Sequence, residues 1–135
     1  MRKLLTALVL VAVVQSGFAQ KKQYQLDIVA FYNLENLFDT INDPEKNDED
    51  FLPNGANQNN TYVYTDKLGK LSRVLSEIGT DISPDGFALV GVAEVENRKV
   101  LEDLVAQPKL KDRNLRIVHH SSPDARGIDV AMLYN

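Results

Sequence analysis

The chain contains no cysteine, which excludes disulfide staples, zinc knuckles, iron–sulfur clusters and thiol catalysis together. Histidine is scarce as well, with only the adjacent pair His119 and His120, so metal chemistry has to rest on oxygen or imidazole ligands. No P-loop, no glycine-rich dinucleotide fingerprint and no Gly-x-Ser-x-Gly elbow occurs. The apolar run from Leu4 to Val14 is too short to cross ~30 Å of hydrocarbon at 1.5 Å per residue. With no cysteine to acylate there, a lipid anchor is not expected either.

What is present is the composition of one soluble globular domain: 135 residues, 44% hydrophobic and 25% charged. Arg2 and Lys3 precede the apolar run, and Gln15, Ser16 and a Gly17-Phe18-Ala19 stretch follow it. That arrangement reads as a signal peptide over residues 1–19, leaving 20–135 as the mature portion, secreted or periplasmic in a bacterium and without a stable membrane anchor. Removing Arg2 and Lys3 makes the remainder more acidic than the formal −4 of the whole chain. An acidic balance argues against a general nucleic-acid scaffold, whose affinity comes from lysine and arginine on phosphates, although a local basic patch stays open.

Leu26 to Tyr32 and Phe87 to Ala93 are β-branched and apolar in both periodic phases, which predicts two strands buried on both faces. Thr65 offers an N-cap for a helix carrying Leu68, Leu71, Val74, Leu75 and Ile78, stopped by Gly79. Asn97 offers another cap, before Val100, Leu101, Leu104 and Val105, with Pro108 beyond. Leu115 to His119 and Ile128 to Tyr134 complete the order β-α-β-α-β-β, an α/β layered arrangement with no internal repeat. Between them, Asp39 to Tyr64 has no clear periodicity. Its first half carries six acids and one lysine without EF-hand spacing, and reads as a solvated acidic loop. The chain ends at Asn135, directly after the apolar run Val130 to Tyr134. From this the protein is expected to continue, and residues 20–135 alone to expose an open apolar edge.

Polar residues directly after two apolar strands are the ones a sheet brings together, because ligands gather at the carboxyl ends of strands. Here they are Asn33-Leu34-Glu35-Asn36 and Glu94-Val95-Glu96-Asn97, whose carboxylates and amides suit a hard cation. Ordinary turn and cap residues are the alternative. Near the turn after the histidines, Arg126 suits a phosphate, or else pairs with Asp124 or Asp129. His119 and His120 point to opposite faces of a strand, so they do not chelate one ion together.

Three segments, Asp27 to Asp39, Val90 to Asn97 and Arg126 to Tyr134, taken in order and spacing, resemble the endonuclease/exonuclease/phosphatase superfamily, in its secreted bacterial branch. The resemblance implies a four-layer α/β sandwich of the DNase-I-like kind and hydrolysis of phosphate mono- or diesters with Mg²⁺, Mn²⁺ or Ca²⁺. It implies Glu94 as the metal-binding glutamate, Glu35 as a second acid near the metal, and Asn33 as a catalytic residue positioning the phosphate or the attacking water. Arg126 would contact substrate phosphate. Asp129 lies near a position where some members place a catalytic acid that assists a histidine. The substrate class is a nucleic acid, a nucleotide or another phosphoester, and the full-length enzyme is expected to be a monomer. The family's Asp-x-Asn and late Asp-His segments do not occur here, and His119 and His120 come too early to serve as that histidine. The chain therefore corresponds to the amino-terminal half of such a domain, expected to be inactive alone. The competing reading is a noncatalytic remnant or a phosphate-ligand-binding module.

Overall fold

A computed structural model of the chain describes residues 24–135. The expected signal peptide lies outside the described residues. Among those described, no helix is long and apolar enough to cross a membrane.

The order of elements is the expected one. Strand β1 (Val29–Leu37) leads through helix α1 (Thr61–Glu77) to β2 (Leu89–Val95), and helix α2 (Arg98–Val105) leads to β3 (Arg116–His120) and β4 (Asp129–Tyr134). The strands form one sheet in the order β1-β2-β4-β3, with β1 parallel to β2 and the other pairs antiparallel. The fold is thus mixed α/β, one four-stranded sheet with one helical layer, consistent with the expected DNase-I-like architecture.

The core lies between helices and sheet. Leu68, Leu71 and Leu75 of α1 and Val100, Leu101 and Leu104 of α2 pack with Leu34, Leu37, Val90, Val92, Val95 and Leu133 of the strands. These helical positions recur at three- and four-residue spacing, so each helix turns one stripe onto the sheet. At ~25 cal/mol per Å² of apolar surface, this burial is what holds the two layers together.

Three expectations need correction. The strands are not buried on both faces: Val29 and Phe31 are 72% and 71% exposed and Val130 61%, because both helices lie on one side. The last strand is not an open edge, since β4 sits between β2 and β3 and is hydrogen-bonded on both flanks. Helix α1 begins four residues before Thr65, capped by Asn60, whose side-chain oxygen accepts from the N–H groups of Tyr62 and Val63 at 3.0 and 3.1 Å.

The acidic loop is folded rather than simply solvated. The rings of Phe38 and Phe51 stack at 4.1 Å between centroids, and Asn59 donates to the carbonyls of Phe38 and Asp39 at 3.1 and 2.7 Å. Asp48 is 2% exposed and accepts from the Asp43 N–H at 2.9 Å. Gly55 is required at its position, because a Cβ there would lie 2.0 Å from the Glu49 carbonyl oxygen.

Candidate functional site

Because β1 and β2 are parallel, their carboxyl ends lie at the same edge of the sheet, and both ladders break there at the same level. Pairing runs from Asn33↔Ala93 directly to Leu37↔Val95, leaving Leu34, Glu35 and Asn36 opposite the single residue Glu94. On its other side β2 pairs Ala93 with Val130 and then Val95 with Asp129, so Glu94 is skipped twice. Strict alternation after Val90 and Val92 would have sent Glu94 into the core. The bulge returns Val95 to the core instead and lets Glu94 meet Asn33.

The backbone carries the strain of this arrangement. Glu35, Asn36 and Glu94 have φ of 52°, 58° and 59°, in the left-handed region that L-residues other than glycine avoid. Such conformations cost on the order of 1–3 kcal/mol each and concentrate at functional sites. Asparagine tolerates that region better than glutamate does, so Glu35 and Glu94 are the residues held there by their surroundings.

Asn33 ties the two bulges together. Its Nδ2 donates to Oε1 of Glu94 at 3.0 Å, and its Oδ1 accepts from the Glu35 N–H at 2.7 Å. Lys67 of α1 was not anticipated from the sequence. Its ammonium donates to the carbonyls of Glu35 and Asn36 at 2.5 and 2.9 Å, and it feels the charges of Glu35 and Glu94. Burial lowers the pKa of Lys67, and those two carboxylates oppose the shift.

The other expected residues are placed differently. Arg126 has its guanidinium on Asp124, Nε to Oδ1 at 3.2 Å and Nη2 to Oδ2 at 3.1 Å, which holds the Asp124 carboxyl below the usual range. It still lies near enough to Glu94 to feel its charge. Asp129 is buried, bonded through Oδ2 to Nε2 of His119 at 2.8 Å and through Oδ1 to the Ser122 N–H at 2.6 Å. Among the described residues no hydrogen bond links this pair to Asn33, Glu35 or Glu94.

A second group of acids adjoins the first. Glu96 accepts from the Asp39 N–H at 2.6 Å, and burial, reinforced by the charges of Asp39, Asp48 and Asp43, pushes its pKa up to about 7. The Tyr64 hydroxyl donates to Asp103 at 3.0 Å, and burial raises it well above the usual phenol range. No three carboxylate or imidazole groups converge as a ready metal cage among the described residues. Carboxylates such as those of Glu94 and Glu35 are the donor type that Mg²⁺ takes, one or two at a time, with waters and substrate oxygens completing its shell.

A model of the Endonuclease/Exonuclease/phosphatase family matches residues 28–135. No curated protein matches the chain, and no solved structure matches it.

Proposed function

The chain belongs to the endonuclease/exonuclease/phosphatase family, and from that membership we propose that it supplies active-site residues of a divalent-metal-dependent phosphoesterase. The observation that carries this reading is the linked set Asn33, Glu94 and Glu35 at a doubly bulged strand end. Three non-glycine residues held in the left-handed region at one spot are a costly arrangement of the kind that concentrates at functional sites, although the bulges also return Leu37 and Val95 to the core.

In this proposal Glu94 and Glu35 hold Mg²⁺, or Mn²⁺ or Ca²⁺ in its place. The ion, when bound, would neutralise phosphoryl oxygens and make water a stronger nucleophile. Asn33 orients the Glu94 carboxylate through its amide, which fixes one oxygen of Glu94 and leaves the other free. Arg126 contacts the substrate phosphate only after leaving Asp124, an exposed pair that costs little to break. Asp129 acts by holding His119 and the Ser122 backbone in place rather than at the reacting atoms.

The substrates of this reading are phosphate mono- or diesters. The acidic balance of the chain favours small phosphoesters over long nucleic acids. The amino-terminal pattern of Arg2, Lys3 and the apolar run to Val14 supports a secreted protein in this reading.

The deciding experiment is Glu94→Gln in the full-length protein, with Mn²⁺ binding followed by calorimetry and hydrolysis of an aryl phosphodiester followed by absorbance. We expect loss of Mn²⁺ binding, a rate lower by on the order of 100-fold or more, and an unchanged melting temperature. Metal binding and turnover equal to those of the parent would overturn the assignment and leave the noncatalytic reading.

A further inference from the structure

We infer that Lys67 is the positioning residue of this site: it holds the Glu35–Asn36 bulge in the left-handed form that brings Glu35 beside Glu94. This rests on the proposed metal site for its functional consequence, but the structural part stands on the bulge itself.

The bulge creates a hydrogen-bonding problem. Between Asn33 and Leu37, β1 leaves the register of β2, so the carbonyls of Glu35 and Asn36 have no partners in the ladder. The Asn36 carbonyl is partly buried and the Glu35 carbonyl exposed, so the first needs a protein partner more than the second does. The Glu35 N–H finds Asn33, and the Phe38 N–H returns to the Asn36 carbonyl at 3.1 Å. The two carbonyls then meet on one atom, Nζ of Lys67.

An ammonium suits this task because it offers three donors from a single point, enough for two carbonyls of neighbouring residues. Its position is fixed from behind. Lys67 is followed by Leu68, which is buried, and Leu71 and Leu75 anchor the same helix on the sheet. Helix α1 therefore carries the cation to a set place, and the cation sets the bulge. The charge is also of the right sign, since Lys67 feels the negative charges of both Glu35 and Glu94.

Lys67 touches backbone oxygens, not reacting atoms, so removing it should loosen the site without dismantling the fold. The test uses Lys67→Met, Lys67→Arg and Glu94→Gln in the full-length protein. Amide hydrogen exchange is measured without metal, and Mn²⁺ affinity is measured by calorimetry. In Lys67→Met we expect the Glu35 and Phe38 amides to exchange at least roughly tenfold faster, while the β2–β4 ladder amides keep their protection. Mn²⁺ affinity should fall by on the order of 10- to 100-fold, the usual effect of losing a partner behind a metal ligand. Lys67→Arg, whose guanidinium also offers several N–H donors, should recover most of both.

Unchanged exchange at Glu35 and Phe38 in Lys67→Met overturns the inference whatever the metal does. If Lys67→Met proves globally unstable, Lys67→Arg decides: protected amides with near-parent Mn²⁺ affinity support the inference, and exposed amides overturn it. Should Glu94→Gln keep full Mn²⁺ affinity while Lys67→Met frees the two amides, the metal reading fails and the bulge assignment stands.

Discussion

Asn33 and Glu94 lie 61 positions apart in the chain and are joined by one hydrogen bond, Nδ2 to Oε1 at 3.0 Å, while the other end of the same amide holds the Glu35 N–H. A carboxamide is suited to both contacts at once, since it offers a donor and an acceptor on a rigid plane. One side chain thus ties the Glu94 carboxylate to the backbone of the Glu35 bulge.

Asn33→Ala removes both contacts and buries nothing new, because Asn33 is exposed. We expect kcat/KM of the full-length enzyme to drop by on the order of 10- to 100-fold, with a melting temperature near that of the parent. A parent-like kcat/KM would show that Glu94 does not depend on this amide.

Asp129 should behave in the opposite way. Its carboxylate is 4% exposed and serves both His119 and the Ser122 N–H. Asp129→Ala leaves a half-buried imidazole and a backbone donor without partners, so we expect a loss of about 1–3 kcal/mol in urea denaturation. Turnover per folded molecule should change little. A stable variant with lost turnover would return Asp129 to the catalytic machinery.

These contrasts explain what the sequence made legible. The strands and α2 were legible because Phe87 to Ala93 is an unbroken apolar run and Asn97 caps a clear stripe, with its Oδ1 on the Val100 N–H at 3.1 Å. The start of α1 was hidden because its first turn carries the exposed Tyr62 and Val63, which show no periodicity, and its cap lies in an asparagine-rich stretch. Asn33, Glu35 and Glu94 were legible as polar residues following apolar runs, although β1 and β2 continue through them to Leu37 and Val95, and the bulges there were not legible. A signal for them does exist: Leu34 and Leu37, and likewise Val92 and Val95, are buried pairs three apart, a spacing that a regular strand cannot bury on one face. Lys67 left no such mark, since its partners are backbone carbonyls and any helical lysine reads as a surface residue.

Glu96 gives a pH dependence of defined sign. Its folded pKa of about 7 lies above the ordinary value of 4.5, so the folded state holds a proton between those two pH values that the unfolded state has released. This group's contribution to stability is therefore greatest below about pH 4.5, falls as pH rises, and is lost above about pH 7. Glu96→Gln removes the titration, and its side-chain oxygen can still accept from the Asp39 N–H. We expect the variant to melt higher than the parent at pH 8 and about equally at pH 5, by differential scanning calorimetry at both values. Equal melting temperatures at pH 8 would mean that the ionised carboxylate costs nothing where it stands.

The open face of the sheet yields the last prediction. Val29, Phe31 and Val130 project from the side that neither helix covers, and among them they present an apolar surface with no charged residue of β1, β2 or β4 between Val29 and Ala93 in register. A patch of that kind drives association once it exceeds a few hundred Å². β4 is not an edge, being paired on both flanks; the edge strands are β1 and β3. Residues 20–135 expressed alone are therefore expected to associate face to face, with scattering that rises with concentration. Val29→Lys combined with Val130→Lys should reduce that association and leave thermal stability intact, because both side chains are exposed in the single chain. If the unsubstituted chain runs as a monomer in light scattering and melts in one cooperative step, the open face is not the source of association that this argument makes it.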